Sequence, residues 1–392
     1  MTSANRPIYL DGHATTPADP RVVDTMMPFF TEYFGNPASV AHQYGWEAEA
    51  AVKQARTILA AGINASPEEI VFTSGATEAN NLAIKGVAEA YFNQGRHIVT
   101  VRTEHRAVLD PCSYLETLGF DVTYLPVQAD GLIDLDVLER SLRADTILVS
   151  VMAANNEIGV LQPLSEIGQR CRERGILFHT DAAQAIGKIP LDVDAQFIDL
   201  LSMTAHKIYG PKGIGALYVR RRQPRVKLAP QLHGGGQERG LRSGTLYTPQ
   251  IVGFGKSLAL AWQVQGVEQP RIRELRDRLW QRLMDLPGIH LNGHPTQRLA
   301  GNLNISIEGV DGQALLLGLR SVAAVSSGSA CSTINTEPSH VLKALGYNNN
   351  LASASLRFGI GRFNTADEID LVAHRCRETV LALQRSQPQA VG

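Results

Sequence analysis

The sequence predicts an α/β protein: a large domain built on a mostly parallel sheet flanked by helices, joined to a smaller α+β domain. Three observations carry this. Short apolar runs alternate with amphipathic stretches through the middle of the chain, the pattern of strand–helix–strand units. A long helical pattern from Pro249 to about Leu286 then separates this region from a second one of different character. The length, 392 residues, exceeds what one core usually supports. Residues 16–263 are expected to form the large domain, and residues 1–15 together with 264–392 the smaller one.

The elements follow in order. Glu69-Ile-Val-Phe-Thr73 reads as a strand that runs into Ser74-Gly75 and then into a helix rich in Ala and Leu. His97-Ile-Val-Thr-Val101, Val122-Thr-Tyr-Leu125, Thr146-Ile-Leu-Val-Ser150 and Leu177-Phe-His-Thr180 are apolar runs of strand length. Leu164 to Arg174 is apolar at spacings of three and four, which is helical. Phe197-Ile-Asp-Leu-Leu-Ser-Met203 is a further strand, followed by the turn-forming Gly210-Pro-Lys-Gly-Ile-Gly215. Arg220-Arg-Arg222, the one basic run, reads as a solvated turn after a strand. The second region holds Asn302-Leu-Asn-Ile-Ser-Ile307, Ser355 to Gly359 and a final helix. No repeat or low-complexity segment interrupts the pattern.

Composition removes several classes of function. A net charge of −1 leaves no electrostatic footprint for nucleic acid or an anionic membrane. No apolar run reaches the roughly 20 residues that span a bilayer. Met1-Thr-Ser-Ala-Asn-Arg lacks the apolar core of a secretory signal. Four cysteines in so long a chain are no disulfide framework, their spacing fits no zinc pattern, and the histidines are scattered. The expected address is a reducing cytoplasm, with no metal.

Chemistry concentrates at strand ends. Asp181 closes Gly175-Ile-Leu-Phe-His-Thr-Asp181, and Lys207 closes Thr204-Ala-His-Lys207 just after the next strand. Open α/β sheets bind ligands outside the carboxyl ends of their strands. A lysine amine condenses with a carbonyl and an aspartate holds a protonated pyridine nitrogen; pyridoxal 5'-phosphate requires both. Taken alone, such a pair also fits a solvated surface. Thr73-Ser-Gly-Ala-Thr-Glu-Ala-Asn-Asn81 offers an anion cradle, with Gly75 allowing close approach and free N–H groups at a helix start. Ser74 and Thr77 as ordinary helix caps is the alternative. The nucleotide-binding glycine patterns are absent.

Cys331 stands apart from the other thiols. It sits among Gly and Ser in Val325-Ser-Ser-Gly-Ser-Ala-Cys-Ser-Thr, a polar loop expected to be mobile and accessible, as a reactive thiolate requires. Cys112, Cys171 and Cys376 lie in helix-like stretches among apolar neighbours, which suits inert packing.

The ordered set of motifs resembles the IscS/NifS cysteine desulfurases, fold-type I pyridoxal-phosphate enzymes of the class-V aminotransferase family. The matching stretches are Ile8-Tyr-Leu-Asp11 with Ala14-Thr-Thr-Pro17, Phe34-Gly-Asn-Pro-Ala-Ser39, Ser74-Gly-Ala-Thr-Glu78 and Thr103-Glu-His105. Asn155-Asn-Glu-Ile-Gly159, His206-Lys-Ile-Tyr-Gly-Pro-Lys-Gly213 and Arg242-Ser-Gly-Thr245 continue the series. Ser326-Ser-Gly-Ser-Ala-Cys331, Glu337-Pro-Ser339 and Ser355-Leu-Arg-Phe358 complete it, so the likeness covers nearly the whole chain.

The resemblance implies roles. Lys207 is expected to hold the cofactor aldehyde, Asp181 its pyridinium nitrogen and Gln184 its phenolate oxygen. His105 is expected to stack on the ring and carry protons. Ala76, Thr77, Thr204 and His206 fall where the family binds phosphate, and Thr245 where a threonine reaches that phosphate from the other subunit of a homodimer. Asn156 and Arg357 match the holders of the substrate carboxylate, Asn156 also facing the cofactor, and Asn36 is a further substrate-binding position. Arginine suits a carboxylate because its fork binds two oxygens.

The implied activity converts L-cysteine to L-alanine, with Cys331 taking the sulfur as a persulfide for Fe–S cluster assembly and other thio-cofactor pathways. Sulfur-acceptor or scaffold proteins are the implied partners. Two rivals are weighed: another fold-type I enzyme such as an aminotransferase or cystine lyase, which has no use for Cys331, and a non-catalytic sulfur carrier, which has no use for Lys207, Asp181, His105 and Arg357. The chain departs from its relatives at Gly12-His13, where Tyr-Ser or Asn-Asn is commoner, so that His13 either lines the entrance or packs. Thr204 replaces a frequent serine and Ala153 stands where some relatives have histidine. The residues after Ser386 do not form the acidic-aromatic tail with which housekeeping members meet their scaffold.

Overall fold

A computed structural model of the chain describes residues 6–327 and 338–386. Among these, seven strands form one sheet in the order Ile70–Thr73, Gly215–Val219, Leu200–Thr204, Leu177–Asp181, Thr146–Ser150, His97–Val101 and Asp121–Leu125. The last five are parallel to their neighbours, while Gly215–Val219 runs antiparallel to both strands beside it. The expected strands are therefore present, each within a residue or a few of the apolar run that predicts it.

Why these runs are apolar throughout follows from the two-residue period of a strand. Phe72, Val99, Val149, Phe178 and Leu201 face one core, whereas their neighbours Val71, Ile98, Leu148, Leu177 and Leu200 face another. Helices cover both faces: Gln43–Ala61 and Leu164–Glu173 on the first side, Ala76–Ala90 and Arg106–Glu116 on the second. The 3₁₀ turn Pro67–Glu69 before the first strand closes on a capping box between Ser66 and Glu69.

The long helical pattern is one helix, Thr248–Leu283. Its first half buries Ile251, Phe254 and Leu258 in the large-sheet core, and its second half buries Ile272, Leu275, Leu279 and Leu283 against a separate core. That second core lies on an antiparallel sheet of Ser355–Gly359, Asn302–Ile307 and Ile289–Leu291, covered by the closing helix Ala366–Ser386. The N-terminal strand Ile8–Tyr9 pairs with Ala323–Ala324, so the chain start is tied to this same region.

One expectation needs correction. Arg220 is not solvated: it is buried and bonds Asp194, the carbonyls of Val193 and Ile198, and pairs with Asp199. A charge that follows a central strand turns back under the sheet, where paired carboxylates offset its desolvation.

Candidate active site

The carboxyl ends of the parallel strands open onto a cavity of about 510 Å³. Lys207 reaches it from the single 3₁₀ turn Ala205–Lys207 that follows the strand Leu200–Thr204. Its Nζ donates to the carbonyls of His13 and Ala14, the latter at 2.8 Å. Asp181 is the last residue of the neighbouring strand, and both its oxygens are oriented: Oδ2 accepts from Asn80 Nδ2 at 2.7 Å, Oδ1 from the Ala183 N–H at 2.8 Å.

His105 caps the helix Arg106–Glu116, its Nδ1 accepting from the Ala107 N–H at 3.0 Å. That bond fixes the neutral tautomer with the proton on Nε2. Burial pulls its proton affinity below the ordinary value, Asp181 opposes this and Lys207 adds to it. Beside it, the carboxyl of Glu104 is fully buried and pushed well above the usual range by burial and by Asp181, although the Met152 N–H donates to it.

The opposite end of the cavity is built for an anion. Gly215 lies so close to the Ser74–Gly75 turn that a Cβ there would sit 2.6 Å from Gly75, which sets the start of the helix Ala76–Ala90 against the sheet. The first N–H groups of that helix, on Ala76 and Thr77, have no acceptor within it. Glu78 in the same turn is neutralised by Arg242 at 2.7 Å and accepts from the Ser74 N–H. Thr204, His206 and Lys212 complete this end. Thr204 Oγ1 donates to the Ile214 carbonyl at 3.2 Å, and burial pushes His206 down to about 4, so its ring is neutral.

The third wall comes from the smaller sheet. Arg357, on Ser355–Gly359, is buried, with Nη1 donating to the Asn156 carbonyl at 3.0 Å and Nη2 to Asp11 at 2.9 Å. Asn155 folds the turn that presents Asn156: its Oδ1 accepts from the N–H groups of Glu157 and Ile158. Arg357 Nε and Asn156 Oδ1 are buried without a hydrogen-bond partner among the described residues, and both residues line the cavity. Glu157 accepts from Ser339 Oγ, and burial raises its carboxyl to about 7 against the pull of Ser339 and Arg357.

Ten of the expected residues thus meet in one cavity: Ala76, Thr77, His105, Asn156, Asp181, Gln184, Thr204, His206, Lys207 and Arg357. Asn36 and Thr245 do not line it, both being exposed. Cys331 lies outside the described residues. Cys112, Cys171 and Cys376 are buried in helices, and burial pushes the first and last up to about 12 and Cys171 up as well, so none is a thiolate near neutral pH. Asn80, Glu104 and Glu157 also stand at this site, each within a motif whose other residues carry the sequence signal.

An anion cradle, a carboxylate and an amine on one cavity at the carboxyl ends of a parallel sheet are the parts that a cofactor-binding transferase requires. The class-V aminotransferase family matches residues 8–372. Among relatives, the cysteine desulfurase IscS of Tolumonas auensis is 56% identical over 384 residues, covering 97% of this chain and 95% of that one. The Homo sapiens cysteine desulfurase is 53% identical over 98% of this chain and 84% of its own length. A solved NifS-like protein superposes with a TM-score of 0.88 at 38% identity, covering 96% of this chain and 99% of that one. The protein SspA, solved in complex with cysteine, gives a TM-score of 0.81 at 39% identity over 91% of this chain and all of its own. The chain belongs to the class-V aminotransferase family, among its IscS/NifS-like cysteine desulfurases.

Proposed function

We propose that the chain is a pyridoxal-phosphate-dependent cysteine desulfurase that converts L-cysteine to L-alanine and delivers the sulfur, through a persulfide on Cys331, to Fe–S cluster assembly and other thio-cofactor pathways. The observation that carries this is one cavity with the Lys207 amine, the oriented Asp181 carboxylate and the unpaired N–H groups of Ala76 and Thr77 on its walls. Those three donors and acceptors fit the aldehyde, the pyridine nitrogen and the phosphate of pyridoxal phosphate. Gln184 and His105 are the side chains left to hold its ring. When bound, the cofactor supplies an electron sink for cleavage at the substrate Cα.

The chain's own residues do the rest. Arg357 and Asn156 hold the substrate carboxylate, for which Arg357 Nε is without a partner among the described residues, while Nη1 and Nη2 are oriented by the Asn156 carbonyl and Asp11. The Lys207 amine takes the Cα proton, with His105 Nε2 as the second proton carrier. The Cys331 thiolate attacks the substrate sulfur: a sulfur–sulfur bond forms, the Cβ–S bond breaks, and its electron pair stays on carbon, which gains protons and leaves as alanine.

The protein is read as a homodimer with shared sites. Phe34, Tyr44 and Trp46 around Asn36, and Tyr247 beside Thr245, are all more than half or about half exposed, and Phe30 packs edge-on to Tyr247 with centroids 6.2 Å apart. Such an exposed aromatic patch marks an interface, and it supports Thr245 acting on the partner's phosphate site. The division at residues 16–263 against 1–15 and 264–392, and a cytoplasmic address, belong to the same reading; the unpaired buried thiols support the latter.

Mixing the purified protein with pyridoxal phosphate, L-cysteine and a reducing dithiol, which releases the persulfide sulfur as sulfide and is itself oxidised to a disulfide, tests the whole. Equal yields of alanine and sulfide, and loss of the bound-cofactor visible band in Lys207→Ala, are expected. Keto-acid formation without sulfide would instead make the protein a transaminase, and a normal band with turnover in Lys207→Ala would remove Lys207 from its role.

A further inference from the structure

His13, half of the Gly12-His13 pair at which the sequence departs from the motif it resembles, lies on the wall of the site. It is buried, and it lines both the large cavity and a small second one that Lys207 also borders. Its backbone carbonyl accepts from Gln184 Nε2 at 2.8 Å and from Lys207 Nζ. Its ring Nδ1 lies 3.1 Å from Gln184 Oε1. The two contacts fix each other's chemistry. Because Nε2 of the amide must donate to the His13 carbonyl, the atom facing the ring is the oxygen, which can only accept. The ring nitrogen Nδ1 must therefore carry a hydrogen.

Charge decides the other nitrogen. Burial first, then the positive charges of Lys188, Arg357 and Lys207, push the proton affinity of His13 well below its ordinary value, while the Gln184 bond works weakly the other way. The ring is neutral with one hydrogen, on Nδ1, and Nε2 is bare. Among the described residues Nε2 has no hydrogen-bond partner. Gly359 leaves room for this ring, since a Cβ there would sit 3.1 Å from its Cδ2 and 2.7 Å from the His13 nitrogen. Lys188 Nζ shares the same amide oxygen at 3.3 Å. The Gln184 amide is thus held at its oxygen by two donors and at its nitrogen by one acceptor, leaving its second N–H without one of these partners.

We propose that His13 is a positioning residue of this active site, locking the Gln184 amide so that its second N–H is directed to the ring oxygen of the cofactor. This rests on the reading of the cavity as a pyridoxal-phosphate site. The His13 ring touches neither substrate nor the Lys207 amine in this role; it acts through Gln184. Glutamine alone is a loose donor whose amide can flip. With His13 beside it, flipping would set a carbonyl oxygen against a carbonyl oxygen and an N–H against an N–H.

Two measurements test this. In protein labelled with ¹⁵N-histidine and freed of cofactor, the His13 ring is expected to be neutral with its hydrogen on Nδ1 from pH 6 to 9. In the holoprotein, His13→Leu is expected to weaken pyridoxal-phosphate binding about five- to tenfold, the loss of one hydrogen bond. It should also raise the pH at which the visible band changes by about half a unit, because the ring oxygen loses a donor and its shared proton with the Lys207 nitrogen is held more tightly. His13→Gln, which restores an N–H donor, should recover most of both. A protonated ring or an Nε2–H tautomer overturns the proposal, as does a leucine variant equal to wild type or a glutamine variant as impaired as leucine. A protein that binds no pyridoxal phosphate at all would refute the reading of the cavity, while the ring's tautomer would still report on the His13–Gln184 contact.

Discussion

Asn80 Nδ2 donates to Asp181 Oδ2 at 2.7 Å, deep under the sheet edge. One helix, Ala76–Ala90, therefore does two things at once: its first turn offers N–H groups to an anion, and its fifth residue aims a carboxylate at the far end of the same cavity. The spacing between the N–H groups of Ala76 and Thr77 and the Asp181 carboxylate is in this way built into a single rigid element, which is the condition for a preorganised site.

Replacing Asn80 with leucine should release Asp181 without opening a cavity. A hydrogen bond to a charged group is worth about 1.5–3 kcal/mol, so cofactor affinity is expected to fall roughly ten- to a hundredfold by the same arithmetic. Folding stability should change far less, because Asn80 Oδ1 is itself a buried acceptor without a partner among the described residues and leaves with the substitution. Titration of the apoprotein with pyridoxal phosphate reads the first effect and denaturant unfolding of the apoprotein reads the second. Unchanged affinity would separate Asn80 from the cofactor site.

Arg357→Lys isolates the geometry of the fork from its charge. Lysine can keep a contact with Asp11 or with the Asn156 carbonyl but cannot make both while presenting two parallel donors to a carboxylate. KM for cysteine is expected to rise by about tenfold or more, the cost of a bidentate charge-assisted pair, with cofactor binding unaltered. Steady-state kinetics beside a cofactor titration distinguish this from general damage to the site.

Glu157 makes stability depend on pH in a defined direction. Its folded-state carboxyl is raised to about 7 by burial, above the unfolded value of about 4.3, so folding favours the protonated form. Its contribution is fully present below the unfolded value and is lost as pH rises through about 7. Glu157→Gln keeps an acceptor for Ser339 and removes the titration. The variant should be more stable than wild type at pH 8 by on the order of 3 kcal/mol, the shift converted at about 1.4 kcal/mol per unit, and nearly equal to it at pH 4. Urea midpoints at the two pH values check the sign. A variant less stable than wild type at pH 8 would mean that the carboxylate is ionised and paired in the fold.

Much of this was legible in the sequence because buried parallel strands are continuous apolar runs and their carboxyl ends are followed at once by the reactive residues. Asp181 and Lys207 could be found as a pair since each is the first acidic or basic side chain, histidine apart, after the start of its strand. Glu104 and Glu157 escaped because nothing local distinguishes a buried carboxylate from a solvated one. Their burial is decided by Asp181, Met152 and Ser339, which arrive from 77, 48 and 182 residues away in the chain. Arg220 misled for the same reason: a basic run after a strand looks solvated until Asp194 and Asp199 are brought beneath it. Asn36 and Thr245 carry recognisable motifs, but a motif does not say whether it serves its own cavity or one on a second copy.

Cys331→Ser should leave cofactor binding and substrate capture intact while ending sulfur transfer. The division of labour is the reason: Lys207, Asp181 and Arg357 hold cofactor and substrate, and a hydroxyl is no substitute for a thiolate toward sulfur. Intact-mass analysis of the wild-type protein after a brief exposure to cysteine should find one added sulfur atom per chain, mapped to Cys331. Cys112, Cys171 and Cys376 should stay unmodified, since burial raises all three thiols. Alanine release by the serine variant at the wild-type rate would refute the persulfide route.

Thr245 provides the sharpest test of a shared site. It is exposed on the chain beside Tyr247 and lies outside the cavity that the Ala76 helix opens onto, so it can serve a phosphate only from a second copy. Sedimentation at assay concentration should show a dimer. Thr245→Val should weaken cofactor binding several-fold, again the cost of one hydrogen bond of about 1 kcal/mol, and Lys207→Ala should be inactive. A mixed dimer of the two variants then discriminates. If Thr245 acts across the interface, one site of the mixed dimer carries both lesions and the other carries neither, so half of the sites regain wild-type cofactor affinity and turnover. If it acts within its own chain, one site is dead and the other keeps the weakened affinity of Thr245→Val. A mixed dimer without any wild-type site, or a fully active monomer, would overturn the shared-site arrangement.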